Sequence, residues 1–188
     1  MSVKRMSVIA MAAALGAIFS APLAVADTPI SQARTAAHEQ ISEELDRFET
    51  AAANMRTDLD RYVASMRNHS SSIQLHSYNL NDARLQVNSL GRQLDVLEAL
   101  SSQGTELQQA AIREARPHLE AVADHLQTAM LMHNDDRLNV RSQDFRETVN
   151  EMYESANNLY VKVDAITDYE KARNRAVENT APITSDDV

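Results

Sequence analysis

The stretch ISEELDRFETAAANMRTDLDRYVASM, residues 41–66, decides the fold. Within it Ile41, Leu45, Phe48, Ala52, Met55, Leu59, Tyr62 and Met66 recur at alternating steps of four and three. That spacing puts every member on one stripe of an α-helix, whereas a strand would alternate with period two. Working outward, the pattern returns three times. Ile73, His76, Leu80, Ala83, Val87, Leu90, Leu94 and Leu97 form a second stripe. Ile112, Ala115, Leu119, Val122, Leu126 and Ala129 form a third, and Phe145, Val149, Met152, Ala156, Leu159, Val163 and Ile166 a fourth.

The residues between the stripes carry start and stop signals. Pro29 suits a first helical turn. Asn68–Ser72 is polar and turn-tolerant, and Ser71 with Gln74 has capping-box spacing for the second helix. Ser101–Gly104 closes that helix, and Thr105 with Gln108 repeats the box for the third. A polar loop from His133 to Arg141 leads to Ser142, a cap for the fourth. Asp144 in its first turn, and Lys171, Arg173 and Arg175 towards its far end, complement the helix dipole. The expected helices are about 38, 30, 29 and 36 residues long. Short connections force antiparallel neighbours, so the chain reads as all-α, an antiparallel up-down-up-down four-helix bundle. One alternative stands beside it. The register of the first stripe continues unbroken into Ile73 and His76, which allows a single coiled-coil helix over residues 38–101, roughly 95 Å long at 1.5 Å per residue. Pro117 falls inside the third helix, as a kink the bundle tolerates or as an opening of its wall beside His118.

Composition supports this class and removes others. The chain has 188 residues, of which 44% are hydrophobic and 4% aromatic, with 3 Gly, 4 Pro, no Cys and no Trp. Without cysteine there is no disulfide scaffold, thiolate zinc finger, iron–sulfur site or thiol nucleophile. So little Gly and Pro argues against an all-β or α/β chain. The N-terminus reads as an address. Lys4 and Arg5 precede an uncharged Ala-rich run from Met6 to Ser20, and Ala24-Val25-Ala26 supplies a small-x-small cleavage pattern. Residues 1–26 are therefore expected to be a signal peptide, 27–179 the bundle and 180–188 a disordered C-terminal tail. The run is too short for a typical spanning helix. With two of the 18 basic residues and none of the 27 acidic ones in the leader, the 162-residue mature chain has a net charge of −11. Such a balance argues against nucleic acid and anionic membrane as partners. The expected compartment is the periplasm or the exterior.

The histidines are the candidates for metal or acid–base chemistry. Folding as a bundle brings His69, His76 and His133 to one pole, with Met66 and Met130 each one turn before a histidine. Met66, His69, His76, Met130 and His133 are thus candidate ligands for copper or zinc, thioether and imidazole being a soft set. The competing reading makes the methionines core and the histidines solvated ends. His118 and His125 share a face, and Met66 or Met55 across from His125 would suit a haem. No His-Glu-x-x-His, Glu-x-x-His, phosphate loop or nucleophile elbow occurs, and Glu43-Glu44 and Asp135-Asp136 read as solvating charge. Tyr153 and Tyr160, seven apart, either complete the core or form an aromatic strip, and Asp186-Asp187-Val188 is a short apolar-ended terminus. The leading expectation is a non-catalytic exported bundle without cofactor, acting by contacts with other proteins or with its own copies, as a scaffold or chaperone-like factor. Its faces are rich in Arg, 14 of the 16 mature basic residues. The rival is a periplasmic metal- or haem-binding bundle using the His/Met pole.

Overall fold

The computed structural model describes residues 29–67, 72–135, 140 and 142–180, with side chains from residue 34 onward except those of 177, 178 and 180. Within them the chain forms α1 (Pro29–Arg67), α2 (Ile73–Leu100), a 3-10 turn (Ser101–Gln103), α3 (Glu106–Asn134) and α4 (Gln143–Thr180). The expected leader, residues 1–26, lies outside the described residues. So do residues 181–188 of the expected tail, while Thr180 is the last residue of α4.

Each helix touches the one before it, and α4 closes against α1. The polar contacts across each pair join one end of a helix to the opposite end of its neighbour. Tyr62 meets His76 and Asp58 meets Gln86 between α1 and α2. Glu98 meets Arg116, and Ser77 meets His133, between α2 and α3. His125 meets Glu151 and Thr105 meets Glu170 across α3 and α4, while Glu49 meets Thr167 across α1 and α4. All four neighbouring pairs therefore run in the antiparallel sense. The single helix over 38–101 is excluded by the same geometry. Its 14-residue spacing would hold Tyr62 and His76 roughly 21 Å apart, and their polar atoms are 3.0 Å apart.

The four stripes meet as one apolar core. Ile41, Phe48, Ala52, Met55, Leu97, Ala129, Phe145, Val149, Met152, Ala156, Leu159 and Val163 are fully buried. Burying a large aliphatic or aromatic side chain contributes about 1.5–3 kcal/mol, so the seams are what hold the helices together. Two stripe members depart from expectation. Ile73, the first residue of α2, is 64% exposed. Ile166 is only partly buried.

Capping follows the sequence with one shift. The cap of α2 is Ser72, one residue later than expected, with its Oγ accepting from the Leu75 N–H at 3.2 Å. Ser71 lies outside the described residues. Thr105 and Gln108 make the full reciprocal box on α3, and Ser142 Oγ accepts the Phe145 N–H at 3.2 Å. Lys171, Arg173 and Arg175 are not in the last turn of α4, which runs on to Thr180. Lys171 instead reaches across to Asp46 at 3.0 Å. Helix α3 runs through Pro117, which is exposed, so water can reach the Arg113 carbonyl that has lost its donor.

Gly91 sits in the interior of α2, and a Cβ added there would meet nothing within 4 Å. Glycine costs a helix interior about 1 kcal/mol relative to alanine. Gly91→Ala is therefore expected to stabilise the protein by about that amount, measurable as a raised midpoint in urea.

Candidate functional site

The pole formed by the end of α1, the start of α2 and the end of α3 gathers most of the sequence candidates. His76 is 3% exposed. Its ring lies between Tyr62 and Phe145, at centroid distances of 5.7 and 5.5 Å, the second in an edge-on arrangement. Its Nδ1 is hydrogen-bonded to the Tyr62 hydroxyl at 3.0 Å. His76 is thus built into the core by its aromatic neighbours. His133 faces outward from α3 towards α2, where its Nε2 lies 2.6 Å from Ser77 Oγ. Its Nδ1 is buried without a hydrogen-bond partner among the described residues. Met66 is 6% exposed and part of the core, whereas Met130 is partly buried against it. His69 lies outside the described residues. The pole therefore brings His76 and His133 to one end, but divides them between the core and the α2–α3 boundary. Among the described residues, no three His, Asp or Glu side chains converge as a metal cluster. His125, one of the haem candidates, pairs with Glu151 at 3.5 Å, while Met55 is fully buried in the core.

Burial raises the Tyr62 phenol well above the usual tyrosine value of 10.0. Below pH 10 both folded and unfolded chains keep this proton, so the stability is fully present. Above it the unfolded chain ionises first and the fold loses stability. Tyr160, held by Asp164, and Lys171, held by Asp46, are raised too and act in the same direction. The melting temperature is expected to fall as pH rises through 10, with a shallower fall in Tyr62→Phe.

The opposite pole carries polar groups that hydropathy does not reveal. Gln108 is 2% exposed, and its Nε2 donates to the His38 carbonyl and to Ser42 Oγ, both at 3.1 Å. Glu170 is 5% exposed and accepts from Thr105 Oγ1 at 2.7 Å. These groups tie α1, α3 and α4 together at that end, and their bonds are satisfied within the fold. The tyrosine strip divides likewise. Tyr153 and Tyr160 are both partly buried against the core, and the Arg56 guanidinium lies 4.5 Å from the Tyr160 ring centre.

Large apolar side chains are exposed elsewhere, two of them on α4, Tyr169 at 62% and Val161 at 47%, and the larger group on α2 and beside it. Tyr78 is 68% exposed, Leu85 56%, Val96 49% and Leu75 39%. Tyr78, Leu85 and Val96 project from the side of α2 opposite its buried stripe. Next to them, a groove of about 370 Å³ runs between α2 and α3, with Val87, Leu126 and Met130 in its walls and Arg84 at its rim. Leu131, at 63% exposure, flanks it. No acidic residue lines this groove, although the chain as a whole is strongly acidic. A sequence signal for this surface is the seven-residue spacing of Tyr78 and Leu85, hidden behind the stronger core stripe of the same helix.

Fold and site together define an all-α four-helix bundle with an apolar outer face on its second helix. Compared with known proteins, the chain matches no family model, no curated protein and no solved structure. No helix among the described residues is long and apolar enough to cross a membrane.

Proposed function

We propose that this chain is an exported, non-catalytic helical bundle that acts by contacting protein, in a scaffold or chaperone-like role, and that the α2 side is its contacting face. The observation that carries the reading is the set of large apolar side chains left in water on α2, at Leu75, Tyr78, Leu85 and Val96. Scattered apolar residues are ordinary on a surface, whereas an aligned set on one helix face marks an interaction site. Helix α2 also carries few charges for its 28 residues, namely Asp82, Arg84, Arg92, Asp95 and Glu98. Export rests on the leader pattern, with cleavage after Ala26 and a periplasmic or extracellular address for the chain from Asp27 onward. Nucleic acid and membrane are not proposed as partners, given the mature charge.

A photo-crosslinking amino acid tests the face. Placed at Tyr78 or Leu85 in cells, it is expected to yield protein adducts, and at the exposed Glu154 of α4 it is expected to yield none. Equal adducts at all three positions, or none at Tyr78 and Leu85, would overturn the proposal.

One observation favours a second reading, a copper or zinc site at the histidine pole. His133 Nδ1 is buried without a partner among the described residues, one turn from Met130. On the protein-contact reading, neither metal raises the melting temperature by an amount that His69→Ala/His133→Ala abolishes. A shift that disappears in that double variant would favour the metal site instead.

A further inference from the structure

The outer face of α2 contains a second stripe with the same rhythm as the core. Leu75, Tyr78, Asp82, Leu85, Ser89, Arg92, Val96 and Ala99 follow one another at steps of three and four. Of these, Leu75, Tyr78, Leu85, Arg92, Val96 and Ala99 are exposed, and Asp82 and Ser89 partly so. Its apolar members, Leu75, Tyr78, Leu85, Val96 and Ala99, stand at seam positions of a left-handed coiled coil, with Asp82, Ser89 and Arg92 as polar positions that would set register, and the exposed members are not covered by the other helices of the bundle. We infer that a second copy of this chain covers this stripe, α2 packing antiparallel on α2 about a two-fold axis that crosses the outer face at the level of residue 87. The inference rests on the reading of α2 as the contacting face.

The order of residue types in the stripe argues for self-pairing. In this register Leu75 faces Ala99, Tyr78 faces Val96 and Leu85 faces Ser89 of the other copy. The only acid of the stripe, Asp82, faces its only base, Arg92. Each pairing occurs twice, as an isologous contact requires. The charges are available for it. Arg92 has no hydrogen-bond or ion-pair partner among the described residues. Asp82 is half-buried at the edge of the α1–α2 crevice, where its Oδ2 accepts from Gln86 Nε2, an amide it shares with Asp58 of α1, so pairing with Arg92 of a second copy uses its other oxygen. The remaining acids of α2, Asp95 and Glu98, are engaged by Arg116 of α3.

Competing arrangements fail on the same residues. A parallel pair sets Asp82 against Asp82 and Arg92 against Arg92. Sliding the antiparallel pair one heptad either way sets Arg92 against Ser89 and Asp82 against Ala99, or Arg92 against Leu75 and Asp82 against Leu85. An unrelated partner would place no demand on the stripe to complement its own reverse. The seam is about 36 Å long at 1.5 Å per residue and one helix wide, at the small end of specific interfaces. The expected state is a monomer–dimer equilibrium in the micromolar range.

The chain lacks cysteine, so introduced thiols report cleanly. Purified mature Tyr78→Cys protein, mixed with Val96→Cys protein under mild oxidation, is expected to give the mixed disulfide dimer in preference to either self-linked species. Sedimentation is expected to show the dimer of the unmodified chain weakened at least about tenfold by Asp82→Arg or by Arg92→Asp alone. Combining the two substitutions is expected to restore it, which a general folding defect would not do. A chain that stays monomeric at millimolar concentration, preferential self-linking of Tyr78→Cys, or a double variant no better than the singles would overturn the self-pairing. In each case the mass of the Tyr78 photo-adduct keeps the two proposals apart. A heterologous adduct retains the contacting face and rejects the second copy as its occupant, and no adduct rejects both.

Discussion

Phe145→Ala is expected to lower the stability of the bundle by about 3–5 kcal/mol, the range for truncating a fully buried aromatic side chain. Phe145 is 0% exposed and opens α4, where its ring meets the edge of His76. Removing it takes away apolar burial and leaves a void beside an imidazole that is itself cut off from water. The surroundings are close-packed and relax only in part. Phe145→Leu keeps much of the volume, and its cost is expected to stay below about 1.5 kcal/mol. Urea denaturation of the three proteins measures both differences. A Phe145→Ala cost under about 1 kcal/mol would mean that the pole is not packed as described.

The second large effect has the opposite sign. Pro117→Ala is expected to stabilise the protein by about 1–3 kcal/mol. Proline in a helix interior lacks a donor for the carbonyl four residues earlier and crowds it with its ring. Pro117 is exposed, while Ala115 and Leu119 beside it are 1% and 6% exposed. The substitution therefore restores a hydrogen bond to Arg113 without touching the core. Thermal melts compare the two chains directly. A loss of stability would show that the bundle depends on the local backbone geometry that Pro117 imposes.

The core was legible because each helix writes its buried face as an unbroken 3-4 repeat. The stripe from Ile41 to Met66 is buried at every member. What sequence reading missed has physical causes. The capping partner of Gln108, Thr105, is written in the spacing, but the bonds of Gln108 to Ser42 and the His38 carbonyl, and of Glu170 to Thr105, cross between helices, and a hydropathy pattern carries no trace of them. Ile73 keeps the register but is the first residue of its helix, and periodicity does not show how far along a stripe the neighbouring helices cover it. The histidine pole was foreseen as a location, since antiparallel helices must bring His76 and His133 to the same end. Of the two, His76 already stands in the core stripe of α2, whereas the contact of His133 with Ser77 depends on how α3 is turned towards α2 and is not written in the periodicity. The outer stripe went unread for a further reason. Asp82, Ser89 and Arg92 interrupt its apolar members, and the core stripe on the same helix masks the rest.

Core, pole and outer seam all depend on the chain reversing direction between Arg67 and Ile73. Spin labels at Glu43→Cys and Ser102→Cys measure that reversal most directly, since both positions are exposed and the chain has no other thiol. Gln108, in the first turn of α3 just beyond that second position, already reaches Ser42 at 3.1 Å. With neighbouring helices about 8–10 Å apart, the antiparallel bundle requires a label separation of roughly 25 Å or less. A separation near 90 Å, the length of one continuous helix over that span, would contradict it.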